Sequence, residues 1–293
     1  METLRIIGEL LINGLLLGGV YAVMATGLSL IFGVMRILQI AHTALIILGC
    51  YFSYALATHF SLDPFLSILL TFPALFLLSM LLYRCLVAPL ENAPPVSSLL
   101  AFFGVILMVE NSIGIIWSTN YTAIYSRYQG KSLALGALIL SLPQLLAFCV
   151  AVVILTALFL FLKRTEVGRA IRAVSQDRET ARILGVDVDR IFLIVFGLAG
   201  GLAAVGGALM GIIYSFYPAL HWQWLGVVFS VVILGGLGKV QGTVLAAGII
   251  GITESFTSYY LGSQWAPMAA FAILILTLPL RPHGLLGTPG GRL

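Results

Sequence analysis

The feature that constrains this chain most is a succession of uninterrupted apolar runs, of which residues 145–162 (LLAFCVAVVILTALFLFL) are the purest. Such a run has neither the period-two alternation of a barrel strand nor the polar face of a surface helix. A helix crossing a membrane needs about 20 mostly apolar residues. In hydrocarbon, backbone amides must be satisfied within the protein, which leaves helices or a closed barrel. Continuous runs therefore imply helices. Composition agrees: the 293 residues are 60% hydrophobic and 9% charged, with a mean hydropathy of +1.10. Soluble domains carry about 25% charged residues.

Apolar segments fall near 8–32, 37–57, 64–83, 98–118, 142–162, 191–215, 223–236, 240–261 and 266–280. The seventh, about 14 residues, is too short for a full crossing and reads as a re-entrant or half-membrane element. The expectation is one all-α polytopic membrane domain over 1–293, with about eight transmembrane helices plus that short element. Residues 13–49 and 197–236 share a glycine-rich helix, a break and an apolar helix, as an inverted repeat would. The connections carry prolines and charges, as at Asp63-Pro64, Pro89 to Pro95 and Arg281-Pro282.

Formal charge is concentrated in one place. The chain has 15 basic and 11 acidic residues, 26 in all, and twelve lie within 163–190. Seven of those are basic: Lys163, Arg164, Arg169, Arg172, Arg178, Arg182 and Arg190. Basic excess marks a cytoplasmic loop. Counting back through five spans puts the N-terminus outside, Arg84 and Glu91 inside, and Arg127 and Lys131 outside. Eight spans put the C-terminal end outside, which Arg281 and Arg292 oppose. The net charge of +4 is read as topology, not as a nucleic-acid footprint.

Within this loop, 175–190 (SQDRETARILGVDVDR) reads as a short amphipathic helix. Ser175 is placed to cap it, and Asp177 and Glu179 complement its dipole. Arg182 sits one turn beyond Glu179, and Gly185 is placed to end the helix. Its charges and small apolar face (Ala181, Leu184) suit a groove on a partner. A merely solvated loop is the alternative.

Glu179-Thr180-Ala181 followed by Gly185 resembles the E-A-A-x-x-x-G loop of ABC-importer permeases, with Thr180 in place of the middle alanine. The blocks 166–191, 27–51, 234–251 and 281–287 are similar, in order, to permeases of branched-chain amino acid importers. The resemblance implies that Arg172, Asp177, Arg178, Glu179, Ala181, Arg182 and Gly185 couple to a cytoplasmic ATPase. It further implies a second homologous permease, two ATP-binding subunits holding ATP and Mg, a periplasmic binding protein, and a bacterial inner-membrane location. No cofactor or metal is expected on this chain, and no enzyme activity. The Gly-Lys pair Gly238-Lys239 has Ile233 and Val240 where a phosphate loop would require Gly and Ser or Thr.

The polar break at 36–43 (RILQIAHT) supplies pathway candidates Gln39, His42 and Thr43, with Arg36 read as an interfacial anchor. The alternative for His42 is a satisfied packing residue. Where relatives commonly read N-F-A-H-G-E, this chain has Thr43 for the glycine and Ala44 for the acid. Val227 stands where a lysine is frequent. These losses of charge open urea, amides and aromatic compounds as alternatives to a branched-chain amino acid. Glu110 and the glycine pair Gly235-Gly236 complete the pathway set, and Glu254 is a further intramembrane acid without an evident partner. Small-residue pairs four apart (Gly14/Gly18, Gly197/Gly201, Gly207/Gly211, Gly238/Gly242) read as close helix packing. Cys50, Cys85 and Cys149 read as small apolar residues, and Trp222, Trp224 and Trp265 as interface anchors, with His221 interfacial too. The N-terminal run is too long for a cleavable signal core. An ion-coupled secondary transporter remains a rival reading, requiring a paired acid and base within the membrane. A membrane enzyme or scaffold would need a reactive cluster or a large extramembrane face.

Overall fold

The computed structural model describes residues 2–90, 93–135, 138–281 and 283–287. Glu91, Pro282 and Arg292, used above in reading topology, lie outside these. The described chain is a helical bundle: α1 (Glu2–Met35), α2 (His42–His59), α3 (Pro64–Leu82), α4 (Pro95–Trp117), α5 (Leu142–Arg164), α6 (Glu166–Gln176), α7 (Arg178–Ile183), α8 (Val188–Ile213), α9 (His221–Gly235), α10 (Val240–Tyr260) and α11 (Ala266–Leu280). An antiparallel hairpin, β1 (Ser132–Leu135) with β2 (Leu138–Ser141), precedes α5. Among the described residues, seven helical segments are long and apolar enough to cross a membrane on length and composition alone.

The helices are apolar nearly all round, so the hydrophobic effect alone cannot sort which faces meet. Small residues do. Gly14 and Gly18 of α1 lie against the backbone of α10: a methyl on Gly18 would stand 2.8 Å from the Ala247 carbonyl oxygen. Near the other end, Gly33 meets Gly238, which shows that α1 and α10 run antiparallel. The rings of Phe72 and Phe76 on α3 fill the notches left by Gly201 and Gly197 of α8. On α2, Gly49 approaches Ala204, and the Cys50 thiol donates to the Gly207 carbonyl at 2.9 Å. The spaced glycines are thus helix crossings. Polar groups inside the bundle bond locally or across it, as Thr243 does to Ser29 at 2.9 Å.

One core cluster marks an end of the bundle: it gathers Val34, Ala41, Tyr83, Val87 and Phe102 with Ile171, Val174, Ala181 and Val188 of the charged segment. This is the inner face. At the opposite end, Thr122 pairs with Phe216 in a short antiparallel bridge, and Tyr51 stacks edge-on to Phe216. Arg36, Arg84, Lys163, Arg164, Arg169, Arg172, Arg178, Arg182, Arg190, Lys239 and Arg281 lie toward the inner face; Arg5, Arg127 and Lys131 lie toward the outer. That asymmetry agrees with a cytoplasmic inner face.

The seventh segment departs from its expectation. Instead of re-entering, α9 runs from the outer end, where His221 meets Glu110, to the inner end. There the Leu234 carbonyl accepts from Leu285 N–H at 2.7 Å. A 3-10 turn at Pro218–Leu220 extends it. Three residues rising about 2.0 Å each and fifteen rising about 1.5 Å give roughly 28 Å, close to the hydrocarbon thickness. Counting the last turn together with the lead-in closes the gap that hydropathy alone left. With α9 crossing, the end of α11 returns to the inner face, where Arg281 satisfies the positive-inside rule.

Candidate functional site

The charged segment is two helices, not one. Ser175 lies inside α6 and bonds back to the Arg172 carbonyl at 2.8 Å. The cap of α7 is Asp177: its carboxylate accepts from the Glu179 and Thr180 N–H groups at 3.0 and 3.2 Å and from the Thr180 hydroxyl at 2.6 Å. The Thr180 bonds, hydroxyl first, hold the Asp177 carboxyl below the usual carboxylate range. Thr180 is therefore suited to its place in the loop, since its hydroxyl completes the cap. Gly185, at φ +84°, ends the helix, and Val186 N–H reaches back to the Ala181 carbonyl at 3.0 Å.

The faces of α7 differ from the expected ones. Ala181 turns inward, buried against the bundle. The exposed apolar tip is Ile183 and Leu184, 84% and 76% accessible. Around it stand Glu179 and Arg182, 4.0 Å apart, with Asp189 also 4.0 Å from Arg182. Arg172 is exposed on α6. Arg178 instead lies over the Phe192 ring, 4.9 Å from its centre, tying α7 to α8. So the set divides: Ala181 and Arg178 seat the helix, while Arg172, Glu179, Arg182 and the apolar tip face outward.

The pathway candidates do not share one cavity. His42 is buried, its Nε2 2.8 Å from the Met24 carbonyl, and its Cε1 fills the notch at Gly27. It packs α2 on α1. Gln39 and Thr43 are buried beside it, and Gln39 Oε1, His42 Nδ1 and Thr43 Oγ1 have no hydrogen-bond partner. Gly235 and Gly236 lie at the inner face, against Gly242 and the 283–287 segment. Glu110 lies in the outer half of α4, where its Oε2 meets His221 Nε2 at 3.1 Å and accepts from Trp222 Nε1 at 3.3 Å. His221 is completely buried. No local motif announces this pair, because its members are 111 residues apart.

A cavity of about 630 Å³ lies elsewhere. It opens among the outer ends of α1, α5, α8, α9, α10 and α11, and its walls include Asn13, Tyr21, Gln144, Trp224, Val227 and Glu254. Trp224 is buried there, unlike an interface anchor. Glu254 lies beside Tyr21. Below it the core closes: Met24, Val228, Val231, Ala246 and Ala247 are all buried. Val227, which entered the sequence reading as a missing lysine, is part of this wall.

Comparison with known proteins agrees over nearly the whole chain. The family described as branched-chain amino acid transport system / permease component matches residues 10–278. The high-affinity branched-chain amino acid transport system permease protein BraD of Pseudomonas aeruginosa is 27% identical over 95% of each chain. LivH of Escherichia coli, of the same description, is 27% identical over 94% of each. Among solved structures, PsaBC from Streptococcus pneumoniae in complex with Fab has a similar fold, with a TM-score of 0.52 at 12% identity over 92% of this chain and 91% of that one. A multi-pass helical bundle, a charged inner segment carrying E-T-A-x-x-x-G and this match place the chain in the branched-chain amino acid transport system permease family.

Proposed function

We propose that this chain is one membrane-spanning subunit of an ATP-driven importer in a bacterial inner membrane. A related second permease, two cytoplasmic ATPases and a periplasmic binding protein complete it. The observation that carries this reading is α7: a six-residue helix, capped by Asp177 and stopped by Gly185, that presents Ile183 and Leu184 at the inner face. Two large apolar side chains held in water by a structured helix are costly unless something covers them. Charges on either side give the contact register. Closure of the ATPase dimer pushes on α7, and α8, joined to it through Arg178 and Phe192, carries the push into the bundle. Alternating access follows as the two membrane subunits rock.

The packing of α1 on α10 and α8 on α3 supports an inverted repeat, since α1 and α8 run in opposite directions through the centre. The cargo we infer from the relatives is a branched-chain amino acid; urea, amides and aromatic solutes are the alternatives. Co-purification tests the reading: the wild-type chain brings ATPase chains with it and supports ATP-dependent uptake. Glu179→Lys and Gly185→Pro abolish uptake while the spans stay folded. Normal uptake in both would defeat the coupling role of α7.

One observation favours a second reading. The Glu110–His221 pair is the intramembrane acid and base that an ion-coupled transporter needs. Uptake driven by a proton gradient, with an ATPase disabled in its nucleotide site, would establish that reading and remove the first.

A further inference from the structure

Two acids within the helices, Glu110 and Glu254, are treated differently by the fold. Glu110 is answered by His221 and Trp222. Glu254 is not: it lies beside Tyr21, and its Oε2 is buried without a hydrogen-bond partner. A buried acceptor left unpaired is costly, and more so when it carries charge. Two nearby amide donors are already engaged. Gln144 Nε2 donates to the Asn13 carbonyl at 3.0 Å, and Gln223 Nε2 to the Tyr217 hydroxyl at 3.2 Å. Among the described residues, no lysine, arginine or histidine lines the chamber. Its apolar side chains include Leu10, Leu17, Met210, Val227 and Trp224, with the hydroxyls of Ser215, Ser255, Ser258 and Ser263 among them. The volume of about 630 Å³ falls within the range of small-molecule sites, about 300–1,000 Å³.

We propose that this outer chamber is a solute-binding site contained within a single subunit, and that it takes an aliphatic solute through an N–H donor group held at Glu254. The apolar wall covers the aliphatic part, and the unpaired carboxylate oxygen accepts from an ammonium or amide. An anion without such a donor gains nothing at Glu254 and meets its charge. The site is distinct from a pathway between two permeases, since its walls come from α1, α5, α8, α9, α10, α11 and the adjoining turns of this chain. The proposal deepens the importer reading and rests on it for its place in transport.

The test is equilibrium binding of radiolabelled L-leucine to the assembled membrane complex in nanodiscs, without the periplasmic binding protein. L-leucine binds and L-leucinamide displaces it. 4-Methylpentanoate, which keeps the aliphatic chain and lacks every N–H, does not. Glu254→Gln weakens binding at least about tenfold, the loss expected for a charge-assisted hydrogen bond. Ser258→Phe, which fills the chamber from α10, abolishes it. Both variants retain their ATPase partners. Equal displacement by 4-methylpentanoate, absence of leucine binding, or unchanged binding in Glu254→Gln overturns the proposal. If the variants fail to fold, the two displacers on the wild-type complex decide alone. Loss of ATPase co-purification from the wild type would instead sink the importer reading, so the two failures are separable.

Discussion

Helices α1 and α5 begin as near equals in sequence, and the bundle treats them as opposites. Of the two, α5 is the more apolar, yet only 17% of its membrane-length stretch is buried, against 83% for α1. The difference is glycine. Between Leu142 and Arg164 there is none, whereas α1 carries Gly14, Gly18, Gly27 and Gly33 at its contacts with α10, α2, α8 and the 236–239 turn. In water the more apolar helix would go to the centre. In lipid, tails are as apolar as leucine, so the centre goes to the helix whose backbone admits neighbours. The same rule puts α8 beside α1, with Gly197, Gly200, Gly201 and Gly207 at its contacts.

The sharpest way to break this comparison is to give α1 the bulk of α5. Gly18→Leu drives a side chain into the Ala247 carbonyl, and backbone cannot yield as a side chain can. We expect a loss above about 3 kcal/mol, read as failure to recover folded protein by fluorescence-detected size exclusion. Next comes His221→Leu, which leaves the Glu110 carboxylate with Trp222 alone in the outer half. A loss of about 1–3 kcal/mol should appear as a lower thermal midpoint in detergent. Gly201→Ala is milder, because the obstacle is the Phe72 ring, which can move. It should cost about 1–2 kcal/mol in the same assay. On the opposite pole, Val153→Ala on the exposed face of α5 should change stability by less than about 0.5 kcal/mol. An effect at Val153 as large as that at Gly201 would refute the packing rule, or place a partner on α5.

The charged segment obeys neither helix's logic, because water decides there. Asp177→Ala should loosen α7 without touching the spans, seen as greater mobility of a nitroxide on Leu184→Cys. The sign of its pH dependence follows from the depressed carboxyl. Its contribution is full above the ordinary carboxylate value of about 4 and is lost as pH falls through the lower folded value. Wild type and variant should therefore converge in acid.

Much of this was legible in the chain. Apolar runs located the long helices, and the basic cluster oriented them, because both are local properties. Gly185 was readable as a stop because only its own φ and neighbours matter. What stayed hidden depended on distant partners. Ser175 and Asp177 are both good caps by type, and the α6–α7 corner chose Asp177. Ala181 and Leu184 look alike on a helical wheel, but the bundle lies on one side only. A crossing α9 was hidden by counting apolar residues without its 3-10 lead. The Tyr21–Glu254 contact joins α1 to α10 across the whole sequence, beyond any spacing argument.

The central claim is that a partner pushes on α7 from the cytoplasm, and one labelling experiment addresses it. In a chain with Cys85 and Cys149 replaced by serine, Leu184→Cys is treated with a membrane-impermeant maleimide added to one side at a time. Labelling from the cytoplasmic side alone, blocked when the ATPases are bound and altered by ATP, is the predicted result. Labelling from the periplasmic side, or equal labelling with and without the ATPases, would contradict it.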